Sequence, residues 1–119
     1  MIKQLSVEDH LNEELKDPYF KELWELEQQK LQVIKPIINY RIKENVSQAE
    51  LARRIGVTQQ HISNIENGIF SDLATVSRVL LFIGHKVQIK TIALSSTRKR
   101  QVSVSMRKEH KRTLTAKRK

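Results

Sequence analysis

The sequence contains no cysteine, which excludes disulfides and thiolate metal sites and predicts a reducing, cytoplasmic location. Only three glycines are present, all at expected turns, so the glycine-rich cradle of a nucleotide site is missing. The four histidines are scattered without metal-ligand spacing, and no nucleophile elbow is found. We therefore expect no enzyme activity, no metal and no cofactor.

Long apolar runs are also missing. No stretch approaches the ~18 consecutive apolar residues that a membrane span requires, so no membrane association is expected. Residues 1–16 carry four acids, unlike the apolar core of a signal peptide. Aromatic residues make up only 5% of the chain, so any core must be mostly aliphatic. A length of 119 residues allows one compact domain with an extension.

The net charge of +9 is distributed very unevenly along the chain. Residues 1–34 carry four basic and eight acidic residues, and residues 35–96 carry eight basic and four acidic ones. Residues 97–119 carry ten basic residues and one acid. A basic surface attracts phosphate backbones, although a solvated, disordered tail would have the same composition.

Capping residues and apolar spacing predict a mainly helical chain. Asp17 and Pro18 are typical of a helix start, and Pro36 should interrupt or kink the helix that follows. Apolar residues at spacings of three and four predict a further helix after Ser71 that ends at Gly84. Two shorter helical patterns lie between them.

The C-terminal part has a different pattern. Residues 87–92 alternate between apolar and polar side chains, which predicts one strand extending to about Leu94. A single strand needs a partner for its edge groups, and a second copy of the chain is one candidate. From Ser95 onward the composition is typical of a flexible tail, whose basic residues could lie along DNA phosphates.

The two short helices form a helix-turn-helix pattern. Ser47 and Glu50 have the spacing of a capping box, Gly56 suits a tight turn, and Thr58 can cap the second helix. The inward face of the first helix is expected to consist of Leu51, Ala52 and Ile55. In the second helix, Ile62 and Ile65 point inward, and the outward strip consists of Gln59, Gln60, Ser63, Asn64 and Asn67.

This outward strip is suited to reading DNA. An amide side chain can donate to and accept from adenine N6 and N7 together, worth roughly 1–3 kcal/mol of discrimination per pair. Residues near the start of the second helix reach base edges in this docking geometry. Gln48 begins the preceding helix, where its side chain and backbone N–H groups could hold a phosphate.

The segment resembles the phage repressor and Cro-like (XRE) helix-turn-helix family over about residues 31–84. The resemblance rests on Gln48, Ala52, Gly56, Val57, Ile62 and Ile65 at the signature positions. It implies base contacts by Gln59, Gln60 and Asn64. It implies phosphate contacts by Gln48 and Asn67, and we assign Ser63 to the DNA backbone as well.

The acidic extension resembles HigA-type antitoxins. The resemblance rests on a helix that begins at Asp17 and Pro18 and contains Trp24, Leu26 and Glu27. The resemblance implies a dimeric repressor of its own operon that neutralises a RelE-like ribonuclease toxin. Pro36 departs from the family, in which this region is usually one continuous helix.

The resulting prediction is an all-α, phage repressor-like bundle of about five helices. Residues 1–34 form an acidic helical extension, 35–85 the DNA-binding domain, 86–95 a strand for dimerisation, and 96–119 a disordered basic tail. The predicted function is sequence-specific transcriptional repression by a homodimer on an inverted repeat in operator DNA, with a RelE-like toxin as partner. The alternatives are a phage or mobile-element regulator without a toxin, and a protein-interaction module.

Overall fold

The structure is a computed structural model that describes the backbone of residues 6–117 and the side chains of residues 6–111. Within these residues the regular structure consists of six helices. They are α1 (Val7–Glu14), α2 (Pro18–Glu44), α3 (Gln48–Ile55), α4 (Gln59–Glu66), α5 (Leu73–Phe82) and α6 (Ser96–Lys117). None of them is both long enough and apolar enough to cross a membrane. The predicted helical class is confirmed.

The chain divides into two compact units, named here by their place in the sequence. The central unit comprises residues 27–90. The terminal unit comprises the described residues on either side of it, 6–26 and 91–117. Helix α2 contributes its first part to the terminal unit and the remainder to the central unit.

The central unit is organised around an aliphatic core. Ile37 at the C-terminal part of α2 is fully buried, as are Leu51 of α3, Ile62 of α4 and Val79 of α5. Burying a side chain of this size stabilises a fold by about 1.5–3 kcal/mol. Because each of the four helices contributes to one cluster, the core fixes the orientations of α3 and α4.

Helix α2 begins where predicted, since the Asp17 carboxylate accepts hydrogen bonds from the backbone N–H groups of Tyr19 and Phe20 at 3.0 and 3.1 Å. The predicted interruption at Pro36 is wrong, because α2 runs through this residue. Proline removes only one helical donor, and the buried neighbours Ile34 and Ile37 hold the helix in place on the core.

The predicted strand at 86–95 is wrong. Residues 85–95 have no regular secondary structure, and in the part of the chain that is described no other segment is available to pair with them. Alternating side chains alone do not make a strand, because its backbone groups must be hydrogen-bonded to a neighbour. The dimer contact predicted through this strand therefore loses its basis.

The prediction of a disordered tail at 96–119 is also wrong for the residues described, which form the 22-residue helix α6. Ser95 accepts a hydrogen bond from the backbone N–H of Arg98, which satisfies one donor at the helix start. Contacts with the start of α2 hold this helix in the terminal unit. Residues 118 and 119 lie outside the described part of the chain.

Candidate DNA-binding site

Helix α3 begins at a polar cap and ends at a left-handed glycine. The Ser47 hydroxyl accepts from the backbone N–H of Glu50 at 3.1 Å, so half of the predicted capping box is present. The Glu50 carboxylate instead accepts from Arg53 and Arg54, and these hydrogen bonds lower its pKa. Gly56 has φ 84°, which confirms the predicted positive φ at the turn.

The turn between α3 and α4 is stabilised by Arg78 of α5, which is distant from it in the sequence. Its Nε donates to the carbonyl of Ile55 at 3.1 Å, which satisfies one of the free acceptors at the end of α3. A Cβ atom on Gly56 would lie 3.2 Å from the Arg78 guanidinium, so space as well as φ favours glycine here. Sequence reasoning missed Arg78, since nothing local connects it to a carbonyl 23 residues away.

Helix α4 begins with a complete capping box. The Thr58 hydroxyl accepts from the backbone N–H of His61 at 3.1 Å, and the Thr58 N–H donates to His61 Nδ1 at 3.3 Å. The predicted cap at Thr58 is confirmed. His61 is thereby held against the start of the helix.

The two predicted faces of α4 are present in the structure. Ile62 and Ile65 are buried, and Gln59 and Gln60 are exposed. Asn64 is half-buried, and its side-chain oxygen accepts from Gln60 Nε2 at 2.7 Å. The structure therefore brings two of the three predicted base-reading amides, Gln60 and Asn64, into direct contact. The Gln59 side chain makes no hydrogen bond to the described part of the chain.

The residues predicted to contact the DNA backbone are placed differently from one another. Ser63 is half-buried on α4, and Asn67 is exposed at the C-cap, where its backbone N–H donates to the carbonyls of Ser63 and Asn64. Gln48 is half-buried, and its side-chain N–H group donates to Glu66 at 3.3 Å. Each amide nitrogen has two hydrogens, so Gln48 keeps a donor for a phosphate.

A charged network fixes the end of α4, and sequence reasoning missed it. Arg41 of α2 donates two hydrogen bonds to the Glu66 carboxylate, from Nε at 2.8 Å and from Nη2 at 2.7 Å. This pairing raises the pKa of Arg41. The Glu66 side chain is 8% exposed, so its charge is compensated where water is largely excluded. The two residues are 25 positions apart, and no local pattern signals their contact.

Helix α4 contains no lysine or arginine, and its only acidic residue, Glu66, is neutralised by Arg41. The surface that faces outward is therefore composed of neutral hydrogen-bonding groups. Such a surface can distinguish base pairs by their donors and acceptors, but it supplies little attraction to phosphates.

Comparison with protein families gives one match, to a family described as helix-turn-helix, over residues 37–83. Comparisons with curated proteins and with solved structures give no match. The matched segment contains α3, the turn at Gly56, α4 and α5, together with the part of α2 that carries Ile37 and Arg41. The match of residues 37–83 to an XRE-type helix-turn-helix family model supports a DNA-binding regulator.

Proposed function

We propose that this protein is a sequence-specific DNA-binding repressor that reads bases with Gln59, Gln60 and Asn64. The observation that carries the proposal is the division of α4 into a face locked in the core and a face of exposed amides. A helix with one immobilised face presents its other face at a defined angle to a groove. Backbone contacts by Gln48, Ser63 and Asn67 would set the register on the duplex.

The size of the reading helix supports a homodimer on an inverted repeat. Helix α4 has eight residues and is about 12 Å long at 1.5 Å per residue. One turn of DNA extends for about 34 Å, so a single copy reads only a few base pairs. Two copies that place their α4 helices one turn apart would read a complete operator.

The test uses the double variant Gln59→Ala with Gln60→Ala and, as a matched control, Gln28→Ala with Gln29→Ala. Both control residues are exposed glutamines of α2 outside the matched domain. Gel shifts compare the DNA upstream of the protein's own gene with a random duplex of equal length. Two lost amide–base pairs in each subunit predict a loss of operator affinity of about 2–6 kcal/mol per subunit. Affinity for random DNA should change little.

The control variant should bind both duplexes as the unaltered protein does. Equal losses on operator and random DNA by the Gln59 and Gln60 variant would contradict base reading by these residues. If the unaltered protein shows no preference for its upstream DNA, the protein-interaction module becomes the better description.

We also propose that the protein is an antitoxin whose acidic extension neutralises a RelE-like ribonuclease toxin. Residues 6–26 carry seven acidic and two basic residues, which suits a basic partner. Leu23 and Leu26 are 43% and 49% exposed on the same segment and offer an apolar contact. The resemblance of this segment to HigA-type antitoxins supports a RelE-like toxin as the partner.

Co-expression with a small basic ribonuclease encoded beside the gene tests this role. The unaltered protein and the Gln59 and Gln60 variant should both restore growth, because neutralisation does not use α4. Reversing charge with Glu13→Lys and Glu14→Lys should weaken it. If there is no such neighbouring gene, or if its product is not toxic, the phage or mobile-element regulator is the correct alternative.

A further inference from the structure

Helix α6 is anchored along one side at two points that are two helical turns apart. Arg98 donates to the Glu22 carboxylate from Nε at 3.0 Å and from Nη2 at 2.9 Å. Ser105 is 6% exposed, and its hydroxyl accepts from the backbone N–H of Tyr19 at 3.2 Å and donates to the Asp17 carboxylate. These contacts make the helix a fixed part of the terminal unit.

Exposed cations also lie on α6, between these two anchors and beyond them. Arg100 and Arg107 each follow an anchor residue by two positions, a rotation of about 200° around the helix axis. Both are exposed, and so are the flanking residues Lys99 and Lys108. In the part of the chain whose side chains are described, these four make no ion pair, whereas Arg98 is paired with Glu22.

Helix α4 needs such cations from outside itself, because it has none. In the central unit Arg41, Arg53 and Arg54 are all paired with carboxylates. The exposed cations of that unit without an ion pair among the described side chains are Lys35, Lys43, Lys86 and Lys90. Phosphate contacts by lysine and arginine supply most of the sequence-independent affinity of a protein for DNA. A protein whose reading helix is neutral therefore draws this part of the binding energy from cations outside that helix.

The composition of α6 favours a nucleic-acid backbone over a lipid surface. Among its described side chains, the large apolar ones are Val102, Val104 and Met106, which do not form a continuous stripe. Membrane-surface helices combine their basic face with a broad apolar face that enters the lipid. Helix α6 has the basic face alone.

We propose that α6 is a second DNA-binding surface, on which Lys99, Arg100, Arg107 and Lys108 contact duplex phosphates without regard to sequence. The proposal rests on the DNA binding proposed for α4 and adds the source of its electrostatic affinity. It differs from a flexible basic tail because the anchors at Arg98 and Ser105 fix the helix, which holds Arg100 and Arg107 in one row and Lys99 and Lys108 beside it.

The test compares two variants that each remove two positive charges from exposed positions of the full chain. Arg100→Gln with Arg107→Gln removes the row, and Lys21→Gln with Lys35→Gln is the control on α2. The probe is a random-sequence duplex, and the readout is the slope of log association constant against log salt concentration. Each phosphate contact contributes about 0.9 to that slope, so the first variant should flatten it by about 1.8 for each bound copy of the chain.

The control variant should keep the slope of the unaltered protein. An unchanged slope in the Arg100 and Arg107 variant would overturn the proposal, and so would equal flattening by both variants, because net charge alone would then explain it. Arg100→Lys with Arg107→Lys keeps both charges and should retain the original slope. Circular dichroism of each variant verifies that α6 is still helical.

Two further measurements separate this proposal from its neighbours. The ratio of operator to random affinity should be the same in the Arg100 and Arg107 variant as in the unaltered protein, because phosphate contacts are lost equally on both. That ratio depends on α4, so its loss in the Gln59 and Gln60 variant is an independent result. Binding to phosphatidylserine vesicles that requires Arg100 and Arg107, together with an unchanged DNA slope, would assign α6 to membranes and overturn the proposal.

Discussion

The central unit and the terminal unit are each stabilised internally by a different kind of interaction. The central unit buries eleven hydrophobic residues, and five side chains are almost completely inaccessible to water. In the terminal unit, no hydrophobic residue is buried among those whose side chains are described, and its buried residue is Ser105. Ion pairs and hydrogen bonds join α6 to the start of α2 instead.

This difference corresponds to what each unit is proposed to do. Reading base edges requires atoms to be positioned within a fraction of an ångström, and a close-packed aliphatic core provides that rigidity. Contacts with phosphates or with a protein partner tolerate small displacements, and polar anchors are sufficient for them. Matched substitutions in the central and terminal units test whether the two units differ in this way.

The largest expected effect comes from truncating one leucine in each unit. Leu51→Ala removes a fully buried side chain of the central unit and should lower the free energy of unfolding by about 3 kcal/mol. Leu23→Ala, at 43% exposure in the terminal unit, is the matched substitution and should cost less than about 1 kcal/mol. Urea denaturation followed by circular dichroism measures both values. Similar losses would show that the two units are packed alike.

A smaller effect is expected from removing one arginine from each unit. Arg41→Ala leaves the mostly buried Glu66 carboxylate without its charged partner and should cost about 2 kcal/mol. Arg98→Ala breaks the pair with Glu22, whose side chain is 37% exposed, and should cost under about 1 kcal/mol. The two losses are measured by the same denaturation experiment. A larger loss for Arg98→Ala would place the dominant ion pair in the terminal unit.

The smallest effect is an acid-dependent one at the start of α5. A hydrogen bond from the Thr75 hydroxyl, followed by bonds from the backbone of Thr75 and Ala74, lowers the pKa of Asp72 from its usual value of 3.8. A lowered pKa in the folded state stabilises the protein above the unfolded value, and this contribution is lost as the pH falls through the folded value. The carboxylate is a better acceptor than the protonated acid.

The melting temperature should therefore be higher for the unaltered protein than for Asp72→Ala at neutral pH. This difference should shrink as the pH falls below about 4. Asp72→Asn also caps a helix but does not titrate in this range, so its difference from Asp72→Ala should stay constant. A difference between the unaltered protein and Asp72→Ala that is the same at pH 7 and at pH 3 would contradict this role of the carboxylate.

The local parts of the fold were predictable from sequence, because each depends on a few neighbouring residues. Asp17 and Thr58 start helices, Gly56 makes the turn, and Ile62 and Ile65 are buried, all as their spacing indicates. The same local reasoning located the exposed amides of α4. Their contacts with DNA stay predictions.

The features that sequence reasoning missed depend on residues far apart in the chain. Arg41 and Glu66 are separated by 25 positions, and Ser105 and Asp17 by 88. The composition of a basic, polar segment is typical of a disordered tail. Such a segment can still form an ordered helix when a second segment supplies partners for it, and here the start of α2 does so. The strand predicted from the alternation in residues 87–92 is wrong for the opposite reason: the described part of the chain offers no second strand to pair with it.

The hydrogen bond between Gln60 and Asn64 has a consequence for the operator itself. Two side chains joined in this way cannot choose their orientations independently, so a base pair that reorients one amide also alters what the other presents. If both read bases as proposed, the base preferences at their two positions are linked. The affinities of operators with two base substitutions would then differ from the sum of the two single effects. The two base pairs that Gln60 and Asn64 contact would have to be treated as one unit of recognition.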